Sequence, residues 1–402
     1  MRGSGPILYR PATACYPLVM SETEQRALDE ALSELPLTDH HVHPAIATEL
    51  AASEFEGLLT ESDRPVPPWM TQFDSQLGMA VRRWCAPMLG LDPFAPPAGY
   101  LARRAELGAA EVTRRLLRAS GIGHYLLDTG YLADGMLDLA GMADASGAAT
   151  DEIVRLESVA EEVLLAGDGT AEGFAGRFAA ALAERVPRAV GLKSIVGYRY
   201  GLDFDPEPPG TAEVTAAAGH WLRAAELSGR VRVSHPVLLR HLLWSGLSHG
   251  LPLQLHTGFG DPDADLRRND PLLLRGFLER AEEHGAPIML LHCYPYHRGA
   301  GHLASAYPHV FLDVGLAINH TGARAAAVVA ESLELAPFGK VLFSSDAWGP
   351  AELHYLGARL WRRATARVLG GWVADGDWTR AEAVRVAGMI AGGNARRVYA
   401  LD

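Results

Sequence analysis

Eight short apolar runs recur along this chain, and most of them end on a residue that can bind a metal ion or carry a charge. In order they are Leu37–His43 (LTDHHVH), Ile122–Asp128 (IGHYLLD), Glu152–Glu157 (EIVRLE), Ala189–Lys193 (AVGLK), Pro252–His256 (PLQLH), Pro287–His292 (PIMLLH), His309–Asp313 (HVFLD) and Lys340–Asp346 (KVLFSSD). Between most of them lie Ala-, Leu- and Arg-rich stretches with helical periodicity, such as Phe174–Arg185, Val214–Leu227, Pro271–His284, Ala323–Leu335 and Ala351–Val368. Strand alternating with helix eight times over is the pattern of an α/β fold, the (β/α)8 TIM barrel, whose active sites lie at the C-terminal ends of the strands. A single Asp or His closing a run often does no more than cap the next turn. Several matched endings argue instead for one shared site.

At 402 residues the chain is longer than a bare barrel needs. The surplus has an obvious place, because residues 44–121 separate the first two runs and contain Pro65–Trp69 (PVPPW), Pro93–Pro97 (PFAPP) and the Arg-rich helical stretch Tyr100–Arg118. These predict a helical insertion after the first strand, over the barrel mouth. Residues 1–36 read as an N-terminal helical preface with an amphipathic stretch at Glu22–Leu35, and 37–402 as the barrel. A net charge of −12 argues against nucleic acid or an anionic membrane as partner, and no stretch reaches the length of uninterrupted apolar residues that a membrane span requires. Cys15, Cys85 and Cys293 are odd in number and far apart, so a disulfide framework is not expected and a cytoplasmic location is. Cys293 follows His292 directly, but with no His-Asn partner readable it is expected to be an ordinary buried thiol.

Chemistry concentrates at the run endings. His41 and His43 stand two apart, and in a strand residues i and i+2 face the same side, so both rings can close on one ion. With 16 His in the chain, chance alone supplies roughly 0.6 of such a pair, so the spacing means little without its context. That context is His256, His292 and Asp346, which close three later runs. Imidazole nitrogens with one carboxylate suit a borderline divalent ion such as zinc, with manganese or iron as alternatives, and leave positions open for water or substrate. Lys193 is the odd member, since an ammonium cannot ligate. It salt-bridges an acid at the mouth, binds substrate as a cation, or is carboxylated and bridges two ions.

The D-x-H-x-H start, the lysine ending, two later His endings and the final Ser-Asp resemble the amidohydrolase superfamily of metal-dependent TIM-barrel hydrolases, of the amidohydrolase 2 type. More narrowly, Gly191–Gly201 (GLKSIVGYRYG), Leu251–Gly260 (LPLQLHTGFG), Asn269–Arg275 (NDPLLLR), Leu290–Tyr296 (LLHCYPY), Leu303–Gly315 (LASAYPHVFLDVG) and Phe343–Trp348 (FSSDAW) resemble the nodulin, or glutamine-synthetase-associated, branch. The resemblance runs from Leu37 to Asp402, is dense from residue 189 onward and is thin before residue 121. With the chain ending at Asp402, no glutamine-synthetase domain is expected to follow. The resemblance implies His41 and His43 as first-strand ligands, His256 as fifth-strand ligand, His292 at the sixth strand and Asp346 at the eighth. It also implies Asp346 as the group that takes the proton of the attacking water. Two ions bridged by carboxylated Lys193 and one ion without it remain alternatives, and in the one-ion case His292 is left for substrate or proton transfer.

Around these residues, Tyr198 and Arg199 follow Lys193 where a loop should face the pocket. Arg199 either clamps a substrate carboxylate or pairs with Asp203 or Asp205 at the surface. Trp348 and Trp69 are candidate walls. Arg155 and Glu157 are expected at the third strand end, and the Asp261, Asp263, Asp265 alternation reads as a solvated loop, since no bidentate Glu follows at calcium-loop spacing. Three function classes follow: hydrolysis of a C–N bond in a small polar metabolite, non-oxidative decarboxylation on the same barrel, and a scaffold without activity. Retention of every ligand type speaks against the last. A small-molecule substrate and a homo-oligomer, a dimer, are expected.

Overall fold

The computed structural model describes residue 28 and residues 30–131, 135–166 and 170–402. Most of the expected N-terminal preface, with Cys15, lies outside the described residues. Its end is helical at residues 30–33, where Leu32, like Leu28, is buried.

Seven strands, β1 (Leu37–Val42), β2 (Ile122–Asp128), β3 (Ala149–Arg155), β4 (Ala189–Ser194), β5 (Leu253–Thr257), β6 (Ile288–His292) and β7 (Val310–Leu312), form one sheet in chain order. Every neighbouring pair is parallel. The runs are apolar because a parallel sheet is covered on both faces: all residues of β1, β5, β6 and β7 are buried. The eighth run forms no regular strand among the described residues. It nonetheless joins the two edges, since Leu342 N–H donates to Leu312 O, His40 N–H to Phe343 O, Asp346 N–H to His41 O and His43 N–H to Ala347 O.

One core separates the sheet from its surrounding helices. A second, smaller one fills the interior with Leu126, Ile153, Met289, Leu291, Phe311 and Leu342, closed by Ala395 and Tyr399 from the C-terminus. Two residues further along a strand the same face reaches the mouth. Leu126 is thus followed by Asp128, Ile153 by Arg155 and Phe311 by Asp313.

Helices expected at Phe174–Arg185 and Val214–Leu227 occur at Phe174–Arg185 and Thr211–Ser228, and the last long one extends over Ala351–Ala374. The stretch between β1 and β2 is helical at Ala52–Gly57, Gln76–Ala80, Pro97–Leu107 and Ala109–Ala119. Gly108, at φ 81°, breaks the expected Tyr100–Arg118 helix into two. No helix among the described residues is long and apolar enough to cross a membrane.

Candidate metal centre at the barrel mouth

His41 and His43 leave β1 on the side that faces Asp346, and the three ligand atoms lie within 4.8 Å of one another. His41 Nε2 is 3.0 Å and His43 Nε2 3.7 Å from Asp346 Oδ1, while His292 Nε2 is 3.3 Å from Asp346 Oδ2. His256 stands outside the group of three but beside it, its ring centroid 4.9 Å from that of His292. The Tyr198 ring lies against the other face of this set, 4.0 Å from the His256 ring. Lys193 Nζ is 3.0 Å from His41 Nε2, deep in the mouth.

The alternation that puts Asp128 and Arg155 at the mouth would turn His292 away, because Leu291 already faces the interior. Left-handed backbone at His292 (φ 65°) and Cys293 (φ 59°) breaks the phase, as it does at Asp346 (φ 46°). Such conformations cost about 1–3 kcal/mol each and persist only where surroundings impose them. Asp313 does so for His292, accepting its N–H at 3.0 Å together with the Gly315 N–H and the Ser344 hydroxyl. Asp39 secures the residue before Asp346, accepting both the N–H and the hydroxyl of Ser345. Gly258, at φ 77°, is required nearby, since a Cβ there would stand 2.3 Å from Tyr294 O.

Burial sets the charge states. It drives His41, His256 and His292 well below the ordinary imidazole range and His43 down to about 3, so the rings are neutral donors of lone pairs. Burial also pushes Asp346 up to about 7 and Lys193 down to about 8. Asp128 goes the other way: burial opposes its charge, but Arg155, with Nη2 2.6 Å from Oδ2, holds it ionised. His43 Nδ1, His256 Nε2 and both nitrogens of His292 are buried with no hydrogen-bond partner. Such orphaned donors and acceptors are rare in native interiors unless a ligand, ion or water completes them. A set of neutral imidazoles around a carboxylate therefore fits a divalent ion of the zinc class.

The mouth opens into a cavity of about 530 Å³ lined by His43, Lys193, His256, His292 and Asp346, with Tyr198, Arg199 and Trp348 among its walls. Several expectations need correction. Trp69 is 81% exposed and does not line the cavity. Arg199 pairs with Glu161 at 3.1 Å rather than with Asp203 or Asp205, which bind Arg268 and Arg240. Glu157 does not end a strand: it sits in the first turn of the Leu156–Ala166 helix, buried, where it accepts the Ser194 hydroxyl and the Ile195 N–H and so holds the end of β4 next to Lys193. The Asp261–Asp265 loop is largely exposed, as expected, though Asp261 and Asp263 also border the cavity. Cys293 is an ordinary buried thiol whose burial raises it further from the thiolate.

Sequence reasoning named Asp128 and Asp313 only as run endings and passed over Gln254 and Glu61. Gln254 Oε1 sits 2.8 Å from His41 Nδ1 and its amide donates to His40 O and Tyr399 Oη, fixing the His41 ring. Its alternation with His256 was the available signal. Glu61 comes from the 44–121 stretch, where no periodicity points to it.

Seven parallel strands curled in chain order, with the eighth run bridging their edges and side chains suited to a metal gathered at the C-terminal mouth, define a TIM-barrel architecture. The family profile described as Amidohydrolase matches residues 39–401, and the chain belongs to that family. The chain is 32% identical over 286 residues to the protein fluG of Emericella nidulans, which covers 64% of this chain and 33% of fluG, so the chain spans about a third of that relative. A protein of Lactobacillus casei described as a metal-dependent hydrolase has a similar structure, with TM-score 0.80, 28% identity and coverage of 93% of this chain and 97% of that one. The glucuronate isomerase of Caulobacter crescentus shares the fold at TM-score 0.65 and 15% identity, covering 98% of both chains.

Proposed function

We propose that this chain hydrolyses a C–N bond, amide-like or amidine-like, in a small polar molecule. The observation that carries the proposal is the meeting of His41, His43 and Asp346 within 4.8 Å, in a cavity whose other imidazoles have unpartnered nitrogens. His41, His43, His256 and Asp346 would hold one zinc-class ion, with His292 and Lys193 completing a second position if two are bound. When bound, the metal supplies a Lewis acid that lowers the pKa of a water and polarises the scissile carbonyl.

The chain's own groups do the rest. Asp346, pushed up to about 7 by burial, can accept a proton and return it to a leaving nitrogen near neutral pH. His292 Nε2, 3.3 Å from Asp346 Oδ2, is the second station for that proton. Tyr198 and Trp348 wall the substrate, and Arg199 orients it from the edge of the cavity. A cytoplasmic homodimer acting on a small-molecule substrate belongs to the same proposal; sedimentation of the purified chain tests the assembly.

The activity test is a panel of amides and amidines incubated with purified protein, first stripped by a chelator and then reloaded with zinc. Ammonia or amine release that vanishes on stripping and returns on loading is expected. Carbon dioxide release without amine would overturn the hydrolase reading in favour of a decarboxylase.

A further inference from the structure

We infer that the outer wall of this cavity, built on Glu61 and Asp261, selects substrates that carry a cationic group, an ammonium or a guanidinium, away from the bond that is cleaved. The inference rests on the hydrolase reading above and names the substrate class for it.

The charges lining the cavity do not cancel locally. Each of its arginines is already held by a carboxylate: Arg155 by Asp128 at 2.6 Å, Arg199 by Glu161 at 3.1 Å and Arg232 by Asp263 at 2.8 Å. Lys193 is deep in the mouth against His41. Asp63 pairs with Arg64 at 3.1 Å. That leaves Glu61 and Asp261 on the cavity wall, and among the described residues no arginine or lysine forms an ion pair with either. Among the described residues the Glu61 carboxylate pairs with the His320 ring alone, Nε2 at 3.3 Å, and the Asp261 carboxylate accepts the Asp263 N–H alone, at 2.8 Å. Burial, against the Asp263 N–H and with the charges of Asp263 and Glu61 outweighing that of Arg232, raises Asp261 above the ordinary carboxylate range.

Two further observations point to a ligand at this wall. The floor of the same cavity holds His292, which a single ion would leave for substrate and whose two ring nitrogens are buried without hydrogen-bond partners, so the cavity is built to be filled beyond the metal. Tyr131 and Trp348, with ring centroids 5.8 Å apart, also line it and offer aromatic faces to a cation. A substrate lying from floor to rim would place its scissile group at the imidazoles and a positive substituent between the two free acids. An anionic substituent there would meet the acids with no unpaired guanidinium to offset them.

The test uses n-butylamine, protonated at pH 7 because alkylamines titrate near ~10.4, against 1-butanol, with binding to the zinc-loaded full chain read by calorimetry. The expected result is at least ~10-fold tighter binding of the ammonium, falling by ~10-fold or more in the Glu61→Gln, Asp261→Asn double variant. Equal affinity of the two probes for the wild-type protein overturns the inference, whether or not the variant folds. An unchanged ammonium affinity in a folded double variant overturns it as well. Because binding is read without turnover, a protein that binds the ammonium selectively but cleaves no amide would refute the hydrolase reading while upholding the acidic wall.

Discussion

His40 and His41 are neighbours in one strand, both buried, and they belong to two different regions. His40 faces an inner network in which both of its nitrogens are used, Nδ1 at 3.0 Å from Tyr399 Oη and Nε2 at 3.0 Å from Asp313 Oδ2. Asp313 in turn accepts from His292 N–H, Gly315 N–H and Ser344, and Gln254 donates to Tyr399. A few ångströms toward the mouth, His256 and His292 are buried nearly as deeply and His43 is largely covered, yet nitrogens of each have no hydrogen-bond partner. Burying a polar group without a partner costs about 1–3 kcal/mol, so a folded protein accepts several such groups in one place only where something else offsets the loss. The inner network is a scaffold. The mouth is a receptor, and what each ring faces, Asp313 and Tyr399 for His40 but Asp346 and Lys193 for His41, separates the two roles better than residue type does.

The largest expected effect lies at the mouth. Replacing Asp346 with Asn should lower kcat of the metal-loaded enzyme by about 10²–10⁴-fold while leaving thermal unfolding of the ion-free protein close to wild type. Wild-type kcat with full metal content would move proton transfer to His292. The inner network should answer in the opposite way. His40→Ala removes one member of a fully buried pair and leaves Asp313 Oδ2 without its partner while Oδ1 keeps its three donors, so unfolding should be easier by about 1–3 kcal/mol in denaturant titration. A loss below about 1 kcal/mol would show that the network is not the scaffold described here.

Gln254 joins the two regions, and its substitution sharpens the comparison. Gln254→Leu frees the His41 ring, so zinc affinity should fall by about 10–100-fold, measured by competition with a chromogenic chelator. An unchanged affinity would mean that packing alone orients His41. The smallest effect is expected from Tyr399→Phe, which deletes one hydroxyl shared by His40 and Gln254 and should cost about 0.5–1.5 kcal/mol in unfolding, with metal content intact.

The sequence showed much of this because parallel strands covered on both faces must be apolar along their length, and a polar residue ending such a run has few reasons to be there. β2 and the Phe174–Arg185 helix lie where the pattern put them, and His43, His256, His292 and Asp346 meet in one cavity, with His41 buried against Asp346. What could not be read depends on geometry without a periodic signal. Strand alternation alone turns His292 outward, and only its left-handed backbone, held by Asp313, brings it in. The eighth run pairs with both edges through separate hydrogen bonds that no regular strand pattern describes. Glu61 arrives from a loop early in the 44–121 stretch, where no periodicity marks it, and the partner of Arg199 turned out to be Glu161 on a neighbouring helix. A tryptophan next to prolines, Trp69, looked like a wall and is exposed.

The central claim is that the imidazoles gathered at Asp346, with His41 and His43 first among them, and not His40 beneath, hold a divalent ion. Elemental analysis of dialysed wild type, His41→Ala and His40→Ala tests it most directly. The account predicts about one or two zinc-class ions per wild-type chain, loss of most of that metal in His41→Ala with the fold retained, and retention in whatever fraction of His40→Ala is folded. Full metal occupancy in His41→Ala would contradict it.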